Sequence, residues 1–307
     1  MITSICMNPS FDKTVEVDAL ELGEVNRIRS SRTDMGGKGI NVAVVAKRLG
    51  LNCQCIGVMG EEGSERLKGM LDKENMQHAF MTVPGSVRTN TKIVSRDGKG
   101  VTELNEPGAA MDAAQLKAFF DLARERAANS RYTVLTGSLP PGCPLGTYRD
   151  LMRAMEGTNC ILDVGGKELG LGAEAHPFLI KPNLSEMEAT LGLELRTLRS
   201  IRDAALIFIR KGVQHVVVSM GSMGALYVSK EKTLFAPALR VDAKSTVGAG
   251  DAMVGGLLKG LEVEGDMARA FRYGVAAGAA SVMTEGTQLI VPEDFNNLLG
   301  QVKVQEV

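Results

Sequence analysis

Seven residues near the carboxyl end, Ser245-Thr246-Val247-Gly248-Ala249-Gly250-Asp251, carry the types that anion chemistry asks for. Two glycines and small neighbours let the backbone turn tightly and turn its N–H groups outward where the apolar segment 252–258 starts a buried helix. Unpaired N–H donors and the helix macrodipole both favour negative charge at such a start. Asp251 puts a carboxylate beside that anion, where it can take a proton from an attacking hydroxyl while the N–H groups of Gly248, Ala249 and Gly250 hold a phosphoryl group. A second reading is open on this stretch alone: Asp251 caps the helix and the glycines only make a turn.

A second glycine-rich stretch, Gly36-Gly37-Lys38-Gly39-Ile40-Asn41, enters a helix that Gly50 stops. It is not a dinucleotide loop, because Val42 stands where a third glycine belongs and no buried strand precedes it. Nor is it a P-loop, because Arg32 and Gly39 occupy positions that need glycine and a hydroxyl residue. A glycine loop with one lysine and one asparagine at a helix start suits a polyhydroxylated or phosphorylated ligand. Asp12 follows the first strand, where ligands collect in open α/β sheets, although an ordinary turn aspartate also fits. Arg27, Arg29 and Arg32 fall on a predicted polar strand over 26–33, and Arg88, Asn90 and Lys92 alternate onto one face of another over 88–95.

The elements that must hold these residues alternate. Strands are expected over 2–7, 54–59, 77–83, 132–135, 160–164, 178–180 and 216–218, with helices over 63–75, 113–128, 147–156, 184–191 and 201–211 between them. Repeated βα units imply an α/β fold with a mostly parallel central sheet and helices on both faces. The segments 14–17, 26–33 and the hairpin 88–104, turning at residues 96–100, read as short exposed strands of a small separate sheet. No repeat or linker divides the chain, so residues 1–307 are expected to form one domain.

Composition narrows the partners. At 307 residues with a net charge of −1 and interspersed charges, nothing points to nucleic acid or an anionic membrane. Five scattered cysteines do not make a disulfide framework, and no apolar run reaches spanning length. The amino-terminal residues lack a basic region and cleavage signal, so a soluble, cytoplasmic protein is expected. His78, His176 and His215 lie outside every motif.

Taken in order, residues 36–41 and 246–251 resemble the two signature regions of the ribokinase-like carbohydrate kinases, the phosphofructokinase B group. Asn8-Pro9-x-x-Asp12, Val25-Asn26-Arg27, Arg88-Thr89-Asn90, residues 104–108, Gly137-Ser138-Leu139-Pro140 and Lys181-Pro182-Asn183-x-x-Glu186 resemble the branch acting on sugar phosphates, the 1-phosphofructokinases and tagatose-6-phosphate kinases. The likeness covers essentially the whole chain. It departs at Ser245, at Ala109 and at Val164-Gly165, none of which removes a catalytic group. The resemblance implies Asp251 as the base and the backbone of Gly248, Ala249 and Gly250 as the anion hole. Asp12, Gly37 and Asn41 would bind sugar hydroxyls; Lys38, Arg27 and Arg88 would hold the phosphate already on the substrate, with Asn90 beside them. Asn183 and Glu186 would sit near the ATP phosphates, Glu186 ordering Mg²⁺ through water, with Lys181 close by and Ser219, Gly221 and Gly224 lining the nucleotide site. The implied reaction is ATP-dependent phosphorylation of a ketohexose phosphate, fructose 1-phosphate first, with tagatose 6-phosphate or fructose 6-phosphate as alternatives. A catalytically silent sugar-phosphate sensor is the rival outside the enzymes. The small sheet, roughly 11–35 and 87–106, would be a lid, and pairing of lids implies a homodimer.

Overall fold

The computed structural model describes residues 1–98, 100–155, 157–286 and 288–307. Lys99 of the expected hairpin turn and Glu156, the expected end of one helix, lie outside the described residues. The chain starts with β1 (Ile2–Cys6), leaves as β2 (Ser10–Val17) and β3 (Ser30–Gly36), and passes through α1 (Lys38–Arg48) to β4 (Cys53–Glu62), α2 (Ser64–Lys73) and β5 (Gln77–Ser86). A second excursion makes β6 (Arg88–Ser95) and β7 (Gly100–Asn105). Then come α3 (Ala113–Ala127), β8 (Tyr132–Thr136), α4 (Thr147–Ala154), β9 (Asn159–Asp163), α5 (Gly166–Gly172), β10 (Leu179–Ile180), α6 (Leu184–Leu191), α7 (Leu198–Arg210) and β11 (His215–Ser219). The rest is β12 (Ala225–Ser229), β13 (Thr233–Ala236), α8 (Ala249–Glu264), α9 (Met267–Val282), α10 (Pro292–Leu299) and β14 (Gln305–Glu306).

The large sheet runs β14-β13-β12-β11-β10-β9-β8-β1-β4-β5. It is parallel from β11 to β5 and antiparallel at β12, β13 and β14. Strands covered on both faces bury every position: all five residues of β1 and of β8 are buried, and the hydroxyls of Thr3, Ser4, Thr133 and Thr136 are hydrogen-bonded there. Alternate side chains feed opposite cores: Cys6, Val134 and Val217 face α1, α8 and α9, whereas Ile5, Leu135 and Val218 face α3, α4 and α7. The antiparallel edge was not anticipated. Gly224 makes it possible, because at φ 106° the chain turns back so closely that a Cβ there would overlap the Ala236 carbonyl oxygen.

The small sheet has the order β3-β2-β6-β7. Two expectations need correction. Strand β2 is longer than 14–17 and is not exposed, since it buries Phe11, Val15 and Val17. Strand β3 starts at Ser30 rather than at residue 26. The Asn26 amide accepts from the Glu21 N–H and donates to the Glu21 and Glu24 carbonyls, closing a loop before the strand begins. Register places Ser10, Gly36 and Arg88 in one row and Asp12, Asp34 and Asn90 in the next, with Thr14, Arg32 and Lys92 beyond, all on one face. Because β1 runs into β2, and β3 into α1, this polar face begins at the carboxyl edge of the large sheet.

Candidate active site

Helix α8 starts behind Gly248, a position that suits glycine because φ is 80° and a Cβ there would lie 3.0 Å from Leu289 Cδ2. No side chain caps this helix, so the capping reading of Asp251 fails. Asp251 is instead 5% exposed and accepts a hydrogen bond from Asn41 Nδ2 at 2.8 Å, from α1. Burial, helped by Asp163, pushes its carboxyl up to about 7, against the pull of Lys38, Asn41 and Lys181. Asn41 Oδ1 is buried with no partner, so it can accept a hydrogen bond from a ligand hydroxyl.

Two lysines stand at the same helix start. Lys181 Nζ lies 3.0 Å from Asp163 Oδ1, both side chains buried, and only about 3.1 Å from where a Cβ on Gly250 would be. Thr136 Oγ1 donates to Asp163, and although burial raises the Asp163 carboxyl, Lys181, Lys38 and these hydrogen bonds hold it below its ordinary range. Lys38 Nζ sits 3.6 Å from Glu186 Oε1, and Asp163 above all, with Asp251 and Glu186, keeps it protonated against burial. The start of α8 thus combines backbone N–H donors, the macrodipole and two lysines around a buried carboxylate, an arrangement chemically suited to an anion.

Asn183 and Glu186 form a capping box on α6: Asn183 Oδ1 accepts from the Glu186 N–H, and Glu186 Oε2 from the Asn183 N–H. Glu186 Oε1 stays outside the cap, toward Lys38. Asn183 pairs with Ser219 at the end of β11, and Gly221 and Gly224 follow at φ 57° and 106°. Asp163, Lys181 and Ser219 therefore lie along the carboxyl ends of neighbouring strands.

On the small sheet, Asp12 Oδ1 accepts from Ser10 Oγ at 2.9 Å and Asn90 Nδ2 at 3.2 Å. Gly37 takes φ 108° and lies so close to β1 that a Cβ would come within 2.7 Å of Cys6 Sγ. Arg88 donates to the Asn8 carbonyl through Nε and Nη2 and to the Glu106 carbonyl through Nη1, and burial lowers its pKa. A cavity of about 470 Å³ opens behind Asn41 between β3, α1, α2 and Thr284, Gln288, Leu289 and Val291, and neither Lys181 nor Asp163 lines it.

Residues 6–294 match the pfkB family of carbohydrate kinases. The 1-phosphofructokinase of Rhodobacter capsulatus is 35% identical over 99% of this chain and 97% of its own length. The chain belongs to the pfkB carbohydrate kinase family. Phosphofructokinase-2 from Escherichia coli, solved in complex with potassium, superposes with a TM-score of 0.91 at 30% identity, over 98% of each chain. The fold is ribokinase-like: ribokinase from Thermotoga maritima superposes with a TM-score of 0.81 at 24% identity, over 98% of this chain and 99% of its own.

Within this carbohydrate kinase the expected trio Lys38, Arg27 and Arg88 is not brought together. Lys38 turns to the Asp163–Asp251–Glu186 carboxylates, and Arg27 is exposed on the loop at the far end of β2 from Ser10. Sequence reasoning also left Asp163 and Lys92 without roles. Both are buried charged residues, and burial of a single charge leaves no local mark except, for Lys92, its place two residues beyond Asn90 on the same strand face.

Proposed function

We propose that this kinase transfers the terminal phosphoryl group of ATP to the 6-hydroxyl of fructose 1-phosphate, giving fructose 1,6-bisphosphate and ADP. The observation that carries the reading is the full-length 35% identity with a 1-phosphofructokinase. The geometry supports it. Asp251, raised to about 7, takes the hydroxyl proton as the oxygen–phosphorus bond forms and the bond to ADP breaks. The N–H groups of Gly248, Ala249 and Gly250, with Lys181 and Lys38, hold the migrating group. Asp12, Gly37 and Asn41 bind sugar hydroxyls, and Arg88, with Asn90 beside it, meets the phosphate the substrate already carries.

Among the described residues no cluster of three or more acidic, histidine or cysteine ligands could cage a metal. That donor set fits Mg²⁺ held mostly by phosphate oxygens and water. Glu186, with Oε1 free of its cap, would order that hydrated ion, which supplies charge neutralisation on the phosphates. Asn183, Ser219, Gly221 and Gly224 would line the nucleotide site. Among the described residues no helix is long and apolar enough to cross a membrane, and we propose a cytoplasmic enzyme.

Initial rates with ATP and Mg²⁺ over fructose 1-phosphate, fructose 6-phosphate, tagatose 6-phosphate and free fructose test the reading. The highest kcat/KM is expected for fructose 1-phosphate. A higher value for another sugar reassigns the substrate, and no turnover with any of them leaves a sensor.

A further inference from the structure

The small sheet carries a buried cation that the reaction as written does not use. Lys92 is 7% exposed and its Nζ stands 3.5 Å from Asp12 Oδ2, while Asp12 is 6% exposed. A lysine is almost never buried without a partner. The other carboxylate oxygen of Asp12 is held by Ser10 and Asn90, so donors from β2 and β6 fix both oxygens. The remaining charged groups nearby are Arg88, one row closer to the body, and Asp34 on β3, which is bonded to Arg32.

We propose that Lys92 is a positioning residue for sugar binding, acting through Asp12; this rests on the carbohydrate kinase reading above. A structural ion pair would be the simplest use of two such charges, but a buried pair is weak evidence for stability. Two observations point to a ligand instead. The Asn90 side chain donates to Ser10 and Asp12 while its own Oδ1 is buried without a partner, leaving an acceptor open beside the pair. The same face also begins at the Gly36–Gly37 turn, where a Cβ on Gly36 would overlap Asp12 Oδ1. The carboxylate is therefore pressed against the glycine loop, and Lys92 holds it aimed there. Removing Lys92 leaves a buried carboxylate without its cation, free to turn from the sugar hydroxyls.

The experiment is Lys92→Met in the full chain, with whichever ketohexose phosphate the wild type turns over fastest as the probe. A substrate outcome that overturns the fructose 1-phosphate reading thus leaves this test intact. KM for that sugar phosphate should rise roughly 10–100-fold with kcat within about threefold and KM for ATP unchanged. Calorimetric binding of the same sugar phosphate without ATP should weaken by the same factor. Lys92→Arg should restore most of the loss, and Asp12→Asn with Lys92→Met should be no worse than Asp12→Asn alone. The inhibition constant of the free ketohexose should rise as much as the KM, because hydroxyl contacts are common to both. A loss confined to the phosphorylated sugar overturns the proposal in favour of direct phosphate contact. Unchanged KM and binding in Lys92→Met overturn it in favour of a structural pair.

Discussion

At the scale of single residues, the same aspartate can cap a helix or act as a base, and its partners decide. Asp251 makes no cap, takes its hydrogen bond from Asn41 and is buried among lysines and a second carboxylate. Asp251→Asn keeps size and polarity but cannot accept a proton, so turnover should fall roughly 10²–10⁴-fold with binding largely intact. Because the working form is deprotonated, wild-type kcat/KM should rise with pH through an apparent pKa near 7; a flat profile across that range removes Asp251 as the base. Stability runs the other way. Below the unfolded value of 3.8 the carboxyl is protonated in both states and the shift contributes nothing. As pH rises toward 7 the unfolded state ionises first, so folding loses stability, up to a few kcal/mol on the order of 1.4 per unit. Asp251→Asn should therefore unfold at higher denaturant than wild type near about pH 8 and match it near about pH 4. Arg88 spends three donors on backbone carbonyls. Arg88→Ala should raise KM for the sugar phosphate about 10–100-fold, leave KM for ATP unchanged and also lower Tm as those carbonyls lose their donors.

Whole elements are placed by glycines of another kind, inside helices. A Cβ on Gly256 of α8 would overlap the Tyr273 carbonyl oxygen and come within 2.5 Å of the Ala277 Cβ on α9. One on Gly260 would come within 2.6 Å of Ala270 Cα, and one on Gly255 would overlap Val45 of α1. Helix α8 therefore lies backbone against backbone between its neighbours, which fixes where its first turn and Asp251 sit. In an isolated helix Gly→Ala stabilises by roughly 1 kcal/mol, but overpacking costs about 1–3 kcal/mol. Gly256→Ala should destabilise on balance, read by urea unfolding, and should lower kcat as α8 shifts. A more stable variant with normal kcat would show that the helices do not pack this closely.

For the molecule as a whole, the small sheet is proposed as a lid on one kinase domain. Arg32 on β3 donates to the Glu285 carbonyl across the chain, while every residue of β7 at the outer edge is exposed. Hydrogen exchange in β2, β3, β6 and β7 should slow when the sugar phosphate binds; equal exchange at saturating ligand rules out closure. The loop and edge of the sheet also expose Leu22 and Val25, at 92% and 85%, together with Ile28, Val101 and Leu104. Exposed apolar side chains on the loop and along an open strand edge favour pairing with a second copy through the lid. Light scattering should give a dimer for the wild type and a monomer for Leu22→Asp with Val25→Asp. The same mass for both places any interface elsewhere.

Local chemistry was legible in the sequence. Glycine-gated entrances to α1 and α8 and the mostly apolar parallel strands follow from φ preferences and burial on both faces, all short-range. They named the fold and pointed to Gly248, Ala249, Gly250 and Asp251 as the candidate anion hole and base. Tertiary structure decided what depends on distant partners. Asn41 reaches Asp251 across 210 residues and excludes the capping role. Lys38 turns to carboxylates from three other elements rather than to Arg88, and Arg27 stays on a loop that Asn26 closes. The antiparallel strands β12 to β14 exist only because a neighbouring edge accepts them. Lys92 looked like a solvated strand residue until the fold buried it against Asp12, because the partner of a buried charge is set by the register of the sheet and not by its neighbours in the chain.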